Sequence, residues 1–449
     1  MVSLAVGGFA MAADRRRARH KEDRYPRRVA KRVVIVGGGF VGLNAAKGLG
    51  GTRDLEVTLL DERNHHLFQP LLYQVAMAGL SPSEIAAPIR GLLSGYANIR
   101  VLRERATHID LAERVVESAT DRHPYDFLIL ACGARHSYFG HEDWEQYAPG
   151  LKTLEQATEI RRRVLNAFEE AEKERDPARQ KALLTFVVIG GGPTGVELAG
   201  ALGEMSRYTL ARDFRRIDPK LARVILIEAG PRILPSFSES LASRAVGDLE
   251  TLGVHVWTAS PVTRVDADGV DVGKERIESR TAVWAAGVKP SSLSGDLGVE
   301  LDRQGRVIVE PDLSLETHPE VFIAGDQAHV VDRKGEPLPG MAPVALQQGR
   351  YLARRIRSAI QGQPHPEFMY TDKGQMATIG RRRAILEKGR FRLTGLLAWL
   401  VWLVIHIYYL AGFKNRLFVV LQWAWAYWTF RRGSRLIVEK EWRFYKDAS

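Results

Sequence analysis

Gly190, Gly192 and Gly195 lie in the stretch VVIGGGPTGVELAG (187–200), and Gly37, Gly39 and Gly42 lie in nearly the same phrase, VVIVGGGFVGLNAA (33–46). In such a turn the first glycine permits a tight bend and the second lets a pyrophosphate approach the backbone. The third lets the following helix pack on its strand. That helix offers unpaired N–H groups and the positive end of its dipole to phosphate. Each turn is also followed by an acid at the end of an apolar run. Asp61 comes 24 positions after Gly37 in EVTLLDERN, and Glu228 comes 38 after Gly190 in RVILIEAGPRIL. A carboxylate placed there accepts hydrogen bonds from ribose hydroxyls, and the usual gap is about twenty residues. The longer second gap is filled by SRYTLARDFRRIDPK, which reads as an extended helix end and loop.

A lone glycine fingerprint is a weak signal, but one set between two strands with an acid at the right distance is strong. Two cradles hold two dinucleotides. The useful chemistry of that pair is hydride transfer from a nicotinamide to a flavin, with the protein supplying orientation and electrostatics. A carboxylate at 228 repels a 2′-phosphate on any dinucleotide bound there, although Arg232 is near enough in sequence to blunt that repulsion.

The elements that must position these residues alternate along the chain. RVVIVGGGFVGLNAAKGLG runs from strand through turn to helix, EVTLLDERN returns as a strand, and the same order recurs with TFVVIGGGPTGVELAGALGEM and RVILIEAGPRIL. Between them lie the apolar strand FLILACGA and a charged helical stretch near 154–175; HPEVFIAGDQAH follows as a further strand ending in Gly325 and Asp326. This is α/β architecture: two Rossmann-like dinucleotide-binding domains, the second inserted into a discontinuous first, plus a C-terminal hydrophobic helical membrane module. The expected boundaries are a basic disordered extension over 1–30, a first domain over 31–154 and 289–385, an insert over 155–288, and a C-terminal module over 386–449.

Composition narrows the chemistry. The chain has 449 residues, 45% hydrophobic and 26% charged, which is globular, and a net charge of +11 that favours an acidic partner such as anionic lipid. Much of the surplus sits in DRRRARHKEDRYPRRVAKR (14–32); the segment before it lacks the basic start of a secretory signal. The single cysteine, Cys132, excludes an intramolecular disulfide, a CxxC pair and any four-cysteine metal site. His65 and His66 are adjacent, a poor geometry for two ligands of one ion, and no metal is expected.

The motifs VIVGGGFVGL, FQPLLYQVA, LILACGA, VVIGGGPTGVELAG, WAAGV, VFIAGDQA, APVALQQGRYLA and AWLVWLVIHIYYLAGFKNRL, in that order, resemble those of the type II NADH dehydrogenases, non-proton-pumping NADH:quinone oxidoreductases among the two-dinucleotide-binding flavoproteins. The resemblance covers about 31–440. It implies FAD in the first cradle, held by Gly37, Gly39, Phe40, Gly42 and Asp61, with Ala106, Ala131 and Gly133 nearby and Gly325 and Asp326 at the ribityl and phosphate part. It implies NADH on Gly190, Gly192, Gly195, Glu228 and Gly287. Cys132, in ACGA, matches a small packing position of the family. Glu197 is implied at the nicotinamide–flavin junction, aiding proton delivery to the quinone, where the bland alternative is an acid favouring the positive helix end. Gln347 and Gln348 are implied contacts of flavin or acceptor. The family's Ala-Gln pair is replaced here by Ala342–Pro343.

The acceptor implied is a membrane ubiquinone or menaquinone, reached from the cytoplasmic face of the cell membrane, with a homodimer compatible and nucleic acid not expected. Residues 393–413 carry no formal charge, enough for a span of about 20 residues. Lys388, Arg390 and Arg392 precede them, Lys414 and Arg416 follow, and five of the nine tryptophans (Trp399, Trp402, Trp423, Trp425, Trp428) lie between 393 and 430. Such aromatic enrichment with basic flanks marks a membrane–water interface. A single span, a monotopic helix and a buried dimer helix remain open, and the resemblance favours the monotopic form, with residues 386–440 on anionic lipid. Two rival functions share the cradles: a soluble NADH-dependent reductase of a ferredoxin- or rubredoxin-like carrier, and a non-catalytic flavoprotein module resembling apoptosis-inducing factor. Sulfide:quinone oxidoreductases and disulfide reductases need paired cysteines.

Overall fold

The computed structural model describes residues 30–411, 413–429 and 434–438. Most of the basic N-terminal run and the last residues of the tail lie outside the described part.

The strand Lys31–Val36 is buried without interruption from Val33 to Val36, as expected of a strand with both sheet faces covered. It is central in a five-stranded parallel sheet ordered Val321–Ile323, Phe127–Leu130, Lys31–Val36, Leu55–Asp61, Ile99–Arg103. The register pairs Val33 with Val57 on one side and with Phe127 on the other. A second parallel sheet has the order Val254–Trp257, Arg223–Ile227, Thr185–Ile189, Thr281–Trp284. The chain thus leaves the first sheet after Leu130, builds the second, and returns to give the first its edge strand at Val321–Ile323.

Each central strand feeds a helix across its glycine turn: Lys31–Val36 feeds Phe40–Leu49, and Thr185–Ile189 feeds Pro193–Glu204. The helix Phe40–Leu49 crosses the helix Ala342–Ile360 so closely that a Cβ on Gly349 would lie 2.3 Å from the Val41 carbonyl oxygen. The helix Pro193–Glu204 is crossed by the strand Gln375–Gly380, where a Cβ on Gly200 would lie 1.8 Å from the Ile379 oxygen. That strand starts an antiparallel sheet with Arg383–Lys388 and Phe391–Thr394, from which the C-terminal helices leave.

Those helices are Gly395–Tyr409 and Phe413–Thr429. The uncharged run 393–413 is therefore not one helix. Its first residues belong to the strand ending at Thr394, the helix holds 15 residues, and Leu410 is extended. At 1.5 Å per residue that helix reaches roughly 22 Å, short of a hydrocarbon core of about 30 Å. No helix among the described residues is long and apolar enough to cross a membrane, which goes against the single span among the three readings left open for 393–413. Ala398, Trp402 and His406, four apart, face inward, while Leu397, Leu400, Val404 and Tyr408 face out. Leu397 is 62% and Val404 69% exposed, values that make this an apolar surface rather than a grazing edge.

Candidate active site

The two glycine turns share one construction. Gly37 and Gly190 have φ of +107° and +112°, which side-chain-bearing residues rarely adopt. A Cβ on Gly37 would meet the Ala131 oxygen at 2.2 Å, and one on Gly190 would meet the Ala285 carbonyl carbon at 2.7 Å. Gly42 and Gly195 each bring their helix within 1.8 Å, Cβ to oxygen, of the first turn glycine. At Gly39 and Gly192 a Cβ would meet nothing within 4 Å, so space lies open above the helix N-terminus. Those helices have no side-chain cap on their first amides, which leaves N–H groups for an anion.

The acids match as well. Asp61 accepts from the Gly38 amide at 2.6 Å and the Arg63 amide at 2.7 Å; Glu228 accepts from the Gly191 amide at 2.6 Å and the Gly230 amide at 2.6 Å. Burial lifts the Asp61 carboxyl above its ordinary range, against the pull of those two amides. The long gap before Glu228 is taken up by a π-helical turn, Met205–Thr209, and a short 3-10 turn, Pro219–Leu221. Arg232 donates to the carbonyls of Phe237 and Pro235, both at 2.7 Å, so its guanidinium is committed to its own loop. Both sites therefore fit a dinucleotide: an open phosphate turn, free helix amides and a strand-end carboxylate.

Around the first turn, Phe40 opens its helix and meets His66 and Phe68 edge-on at 5.2 and 6.0 Å. Ala106 is buried in the core beside the first sheet. Gly133 has φ +68° just after Cys132, whose amide donates to Gln327 Oε1 at 2.6 Å. Burial pushes the Cys132 thiol up to about 12, which suits a packing residue and not a reactive thiolate. Gly325 and Asp326 follow the edge strand in a short turn, with Lys152 Nζ 3.7 Å from the Asp326 carboxylate. Gln348, 1% exposed, accepts from the Gly325 amide at 2.7 Å, so it holds that turn in place. Gln347 turns elsewhere and pairs with the backbone of Thr371 through both ends of its amide, at 3.0 Å each. Pro343 sits in the first turn of this helix. Gly287, φ +68°, follows the edge strand of the second sheet and lies against the Phe139 ring.

Glu197 is on the second turn of its helix, and its carboxylate takes the Thr378 amide. Burial pushes its pKa up to about 8, with the Thr378 hydrogen bond opposing. It lines a cavity of about 120 Å³, many times the roughly 10–15 Å³ that one water requires. Tyr73 and Gln74 of FQPLLYQVA form another wall, and Trp399, Trp402 and Trp423 of the C-terminal helices close it. Gln74 Oε1 accepts from Trp423 Nε1 at 2.8 Å, and Gln74 Nε2 donates to the Tyr73 hydroxyl at 2.9 Å. Phe40, from the first cradle, packs on Phe68 of the same segment, so the two cradles meet around FQPLLYQVA.

No pattern in the sequence marks a site role for Gln74, Thr378 or His66. His66 donates from Nδ1 to the Gly38 carbonyl at 3.0 Å, and burial pushes its pKa down to about 4, so it is neutral. Its one signal in the sequence is its place soon after Asp61, beside His65. Among the described residues no group of three or more His, Cys, Asp or Glu could hold a metal ion.

The pyridine nucleotide-disulphide oxidoreductase family profile matches residues 31–349. The type II NADH:quinone oxidoreductase Ndh of Mycobacterium tuberculosis is 45% identical over 432 residues, covering 93% of this chain and 92% of its own. NdhA of the same organism is 44% identical, covering 91% of this chain and 90% of its own. Among solved structures, NDH2 from Plasmodium falciparum in complex with NADH superposes with a TM-score of 0.83 at 19% identity, over 91% of this chain and 100% of that one. The sulfide:quinone oxidoreductase of Aquifex aeolicus reaches a TM-score of 0.65 at 20% identity, over 86% and 92%. At such identities the structures speak for the fold alone. The paired strand-end acids, the two open turns and the near-complete alignment at 45% identity lead to one conclusion: the chain belongs to the type II NADH:quinone oxidoreductases, within the pyridine nucleotide-disulphide oxidoreductase family.

Proposed function

We propose that this protein passes reducing equivalents from NADH through FAD to a membrane quinone, without proton pumping. FAD bound at the first turn would supply the redox chemistry, able to accept a hydride and to give up two electrons. Residues 31–154 and 289–385 form the FAD domain, 155–288 the NADH domain, and 386–449 the membrane-facing module. The turn at Gly37, Gly39 and Gly42 receives the FAD pyrophosphate, Asp61 its adenosine ribose, and Asp326, held through Gly325 and Gln348, its ribityl side. The turn at Gly190, Gly192 and Gly195 receives the NADH pyrophosphate, and Glu228 its adenosine ribose.

The overall change, NADH + H⁺ + quinone giving NAD⁺ + quinol, takes one proton from solution. Glu197 carries that proton: a carboxyl whose pKa is pushed up to about 8 is protonated at neutral pH and suited to a general acid. The observation carrying the reading is that Glu197 shares one cavity with FQPLLYQVA and the tryptophans of the tail. With a single cysteine in the chain, a dithiol route has no partner for Cys132.

Anaerobic titration of the yellow protein with NADH should bleach its visible absorbance. A short-chain ubiquinone or a menaquinone analogue should then restore it. Protein that is colourless, that NADH does not bleach, or that only a carrier protein reoxidises would overturn the reading.

The outward strip Leu397, Leu400, Val404 and Tyr408 on one helix and Leu417, Leu421 and Trp425 on the next forms the lipid-contacting face in this reading, lying in the cytoplasmic interface. Lys388, Arg390 and Arg392 precede the first of these helices and Arg416 lies in the second, and a basic residue near the surface adds about 1 kcal/mol of attraction to anionic lipid. Vesicles containing phosphatidylglycerol should carry the protein upward in flotation. The double substitution Leu397→Glu, Val404→Glu should cut that fraction at least tenfold while the NADH–ferricyanide activity persists. Unchanged flotation would place the contact elsewhere.

A further inference from the structure

The excursion between the helix Pro193–Glu204 and the strand Arg223–Ile227 carries a charged surface with no part in either cofactor site. Residues 205–221 hold five basic side chains and two acids. Phe214 and Ile217 turn inward, Phe214 onto the Phe168 ring at 6.0 Å, while Arg212, Arg215, Arg216 and Lys220 are exposed. Glu172 fixes the backbone there by accepting the amides of Arg215, Arg216 and Ile217 at 3.0–3.1 Å. The acid among the arginines, Asp213, is paired with Arg435 of the tail. Among the described residues no carboxylate forms an ion pair with Arg212, Arg215 or Arg216. Like charges so close together repel one another and gather anions.

This surface is joined to the C-terminal tail. The helix Pro193–Glu204 contributes Ala201 and Glu204 to the cavity that Trp399, Trp402 and Trp423 close, and the excursion starts at the next residue. From the other direction, the Ser434 carbonyl accepts from Arg161 Nη1 at 3.3 Å, beside the pairing of Arg435 with Asp213. Leu436 and Val438, which follow, are 71% and 67% exposed, and Leu221, at the end of the excursion, is 76% exposed. Unpaired guanidinium forks match phosphate oxygens, and apolar tips among them suit the boundary between headgroups and acyl chains. Resting on the lipid face assigned to the tail helices, we propose that residues 205–221 and 434–438 form a second contact with anionic phospholipid. The NADH domain is then held on the bilayer by its own arginines, and not only through the tail.

The test compares the triple variant Arg212→Gln, Arg215→Gln, Arg216→Gln with the tail variant Leu397→Glu, Val404→Glu. Both are full-length holoenzyme, mixed with dilute phosphatidylcholine vesicles with or without phosphatidylglycerol. Three basic contacts at about fivefold each should cost the triple variant roughly a hundredfold in its partition onto phosphatidylglycerol vesicles. Its partition onto pure phosphatidylcholine should not change, whereas the tail variant should lose both. Added salt should shrink the parent's preference for phosphatidylglycerol more than the triple variant's. A parent-like thermal midpoint and NADH–ferricyanide turnover in the triple variant separate lost lipid contact from folding damage. A direct readout comes from Leu221→Cys carrying a polarity-sensitive dye, since burial pushes the thiol of the one native cysteine, Cys132, up to about 12 and keeps it unreactive at neutral pH. The dye should shift to the blue on phosphatidylglycerol vesicles. A triple-variant partition within twofold of the parent's, or a dye that does not shift, would sink the proposal and point the arginines at an acidic protein instead. If the parent binds no vesicle at all, the lipid face of the tail falls and takes this contact with it. A parent that binds vesicles through both contacts yet reduces no quinone would refute the quinone reading alone.

Discussion

Glu197→Gln should lower quinone turnover about a hundredfold at neutral pH, the scale expected when one positioned acid is removed. The variant keeps the size of the side chain and an acceptor for the Thr378 amide but has no proton to release. In the parent protein the carboxyl is pushed up to about 8 by burial, so quinone reduction should fall as pH rises through that value. The variant should lose that limb of its profile. Stability follows the same shift with a definite sign. A carboxyl that binds its proton more tightly in the folded chain than at its ordinary 4.5 contributes fully below that value, and the contribution is lost as pH rises to about 8. The glutamine variant has no such loss. Its thermal midpoint should match or trail the parent's at pH 5 and exceed it by a few degrees at pH 9. Equal midpoints at pH 9, or an unchanged pH–rate profile, would show that this carboxyl neither carries the proton nor feels the burial.

The features that were legible in the sequence are the local ones. A glycine turn, its flanking strands and the acid that ends the next strand lie within one supersecondary unit, so their spacing records their contacts; Asp61 and Glu228 both bond the middle glycine of their turn. Even the irregular spacing before Glu228 marked an actual excursion of the chain. What stayed hidden depends on tertiary placement. Gln347 and Gln348 are neighbours in sequence, yet the crossing of the helices Phe40–Leu49 and Ala342–Ile360 sends one to Gly325 and the other to Thr371. Gln74 and Trp423 are 349 positions apart, and no local pattern predicts that pair. The uncharged run 393–413 is longer than the helix it contains for a physical reason: hydropathy counts charges and does not see a backbone break. The positive φ of Gly395, +67°, starts the helix late, and extended Leu410 ends it early.

In the proposed reading Glu228 sets the choice between the two nicotinamide cofactors, and its removal should have an effect comparable in size. Both carboxylate oxygens are already oriented by the amides of Gly191 and Gly230, so their remaining lone pairs point at a fixed place, where a 2′-hydroxyl can donate and a 2′-phosphate meets like charge. Hydrogen bonds to a charged group contribute about 1.5–3 kcal/mol, or roughly ten- to a hundredfold in kcat/KM. Glu228→Ala should lose that much with NADH and little or nothing with NADPH, collapsing the preference by the same factor. Arg232 gives an internal control. Its guanidinium is spent on the carbonyls of Phe237 and Pro235, so Arg232→Lys should leave the NADH-to-NADPH ratio within about threefold, the loss of a pair of carbonyl contacts acting on the loop more than on the cofactor. Should Arg232→Lys shift that ratio tenfold while Glu228→Ala leaves it alone, the arginine and not the acid reads the ribose, and the loop must open when the nucleotide binds.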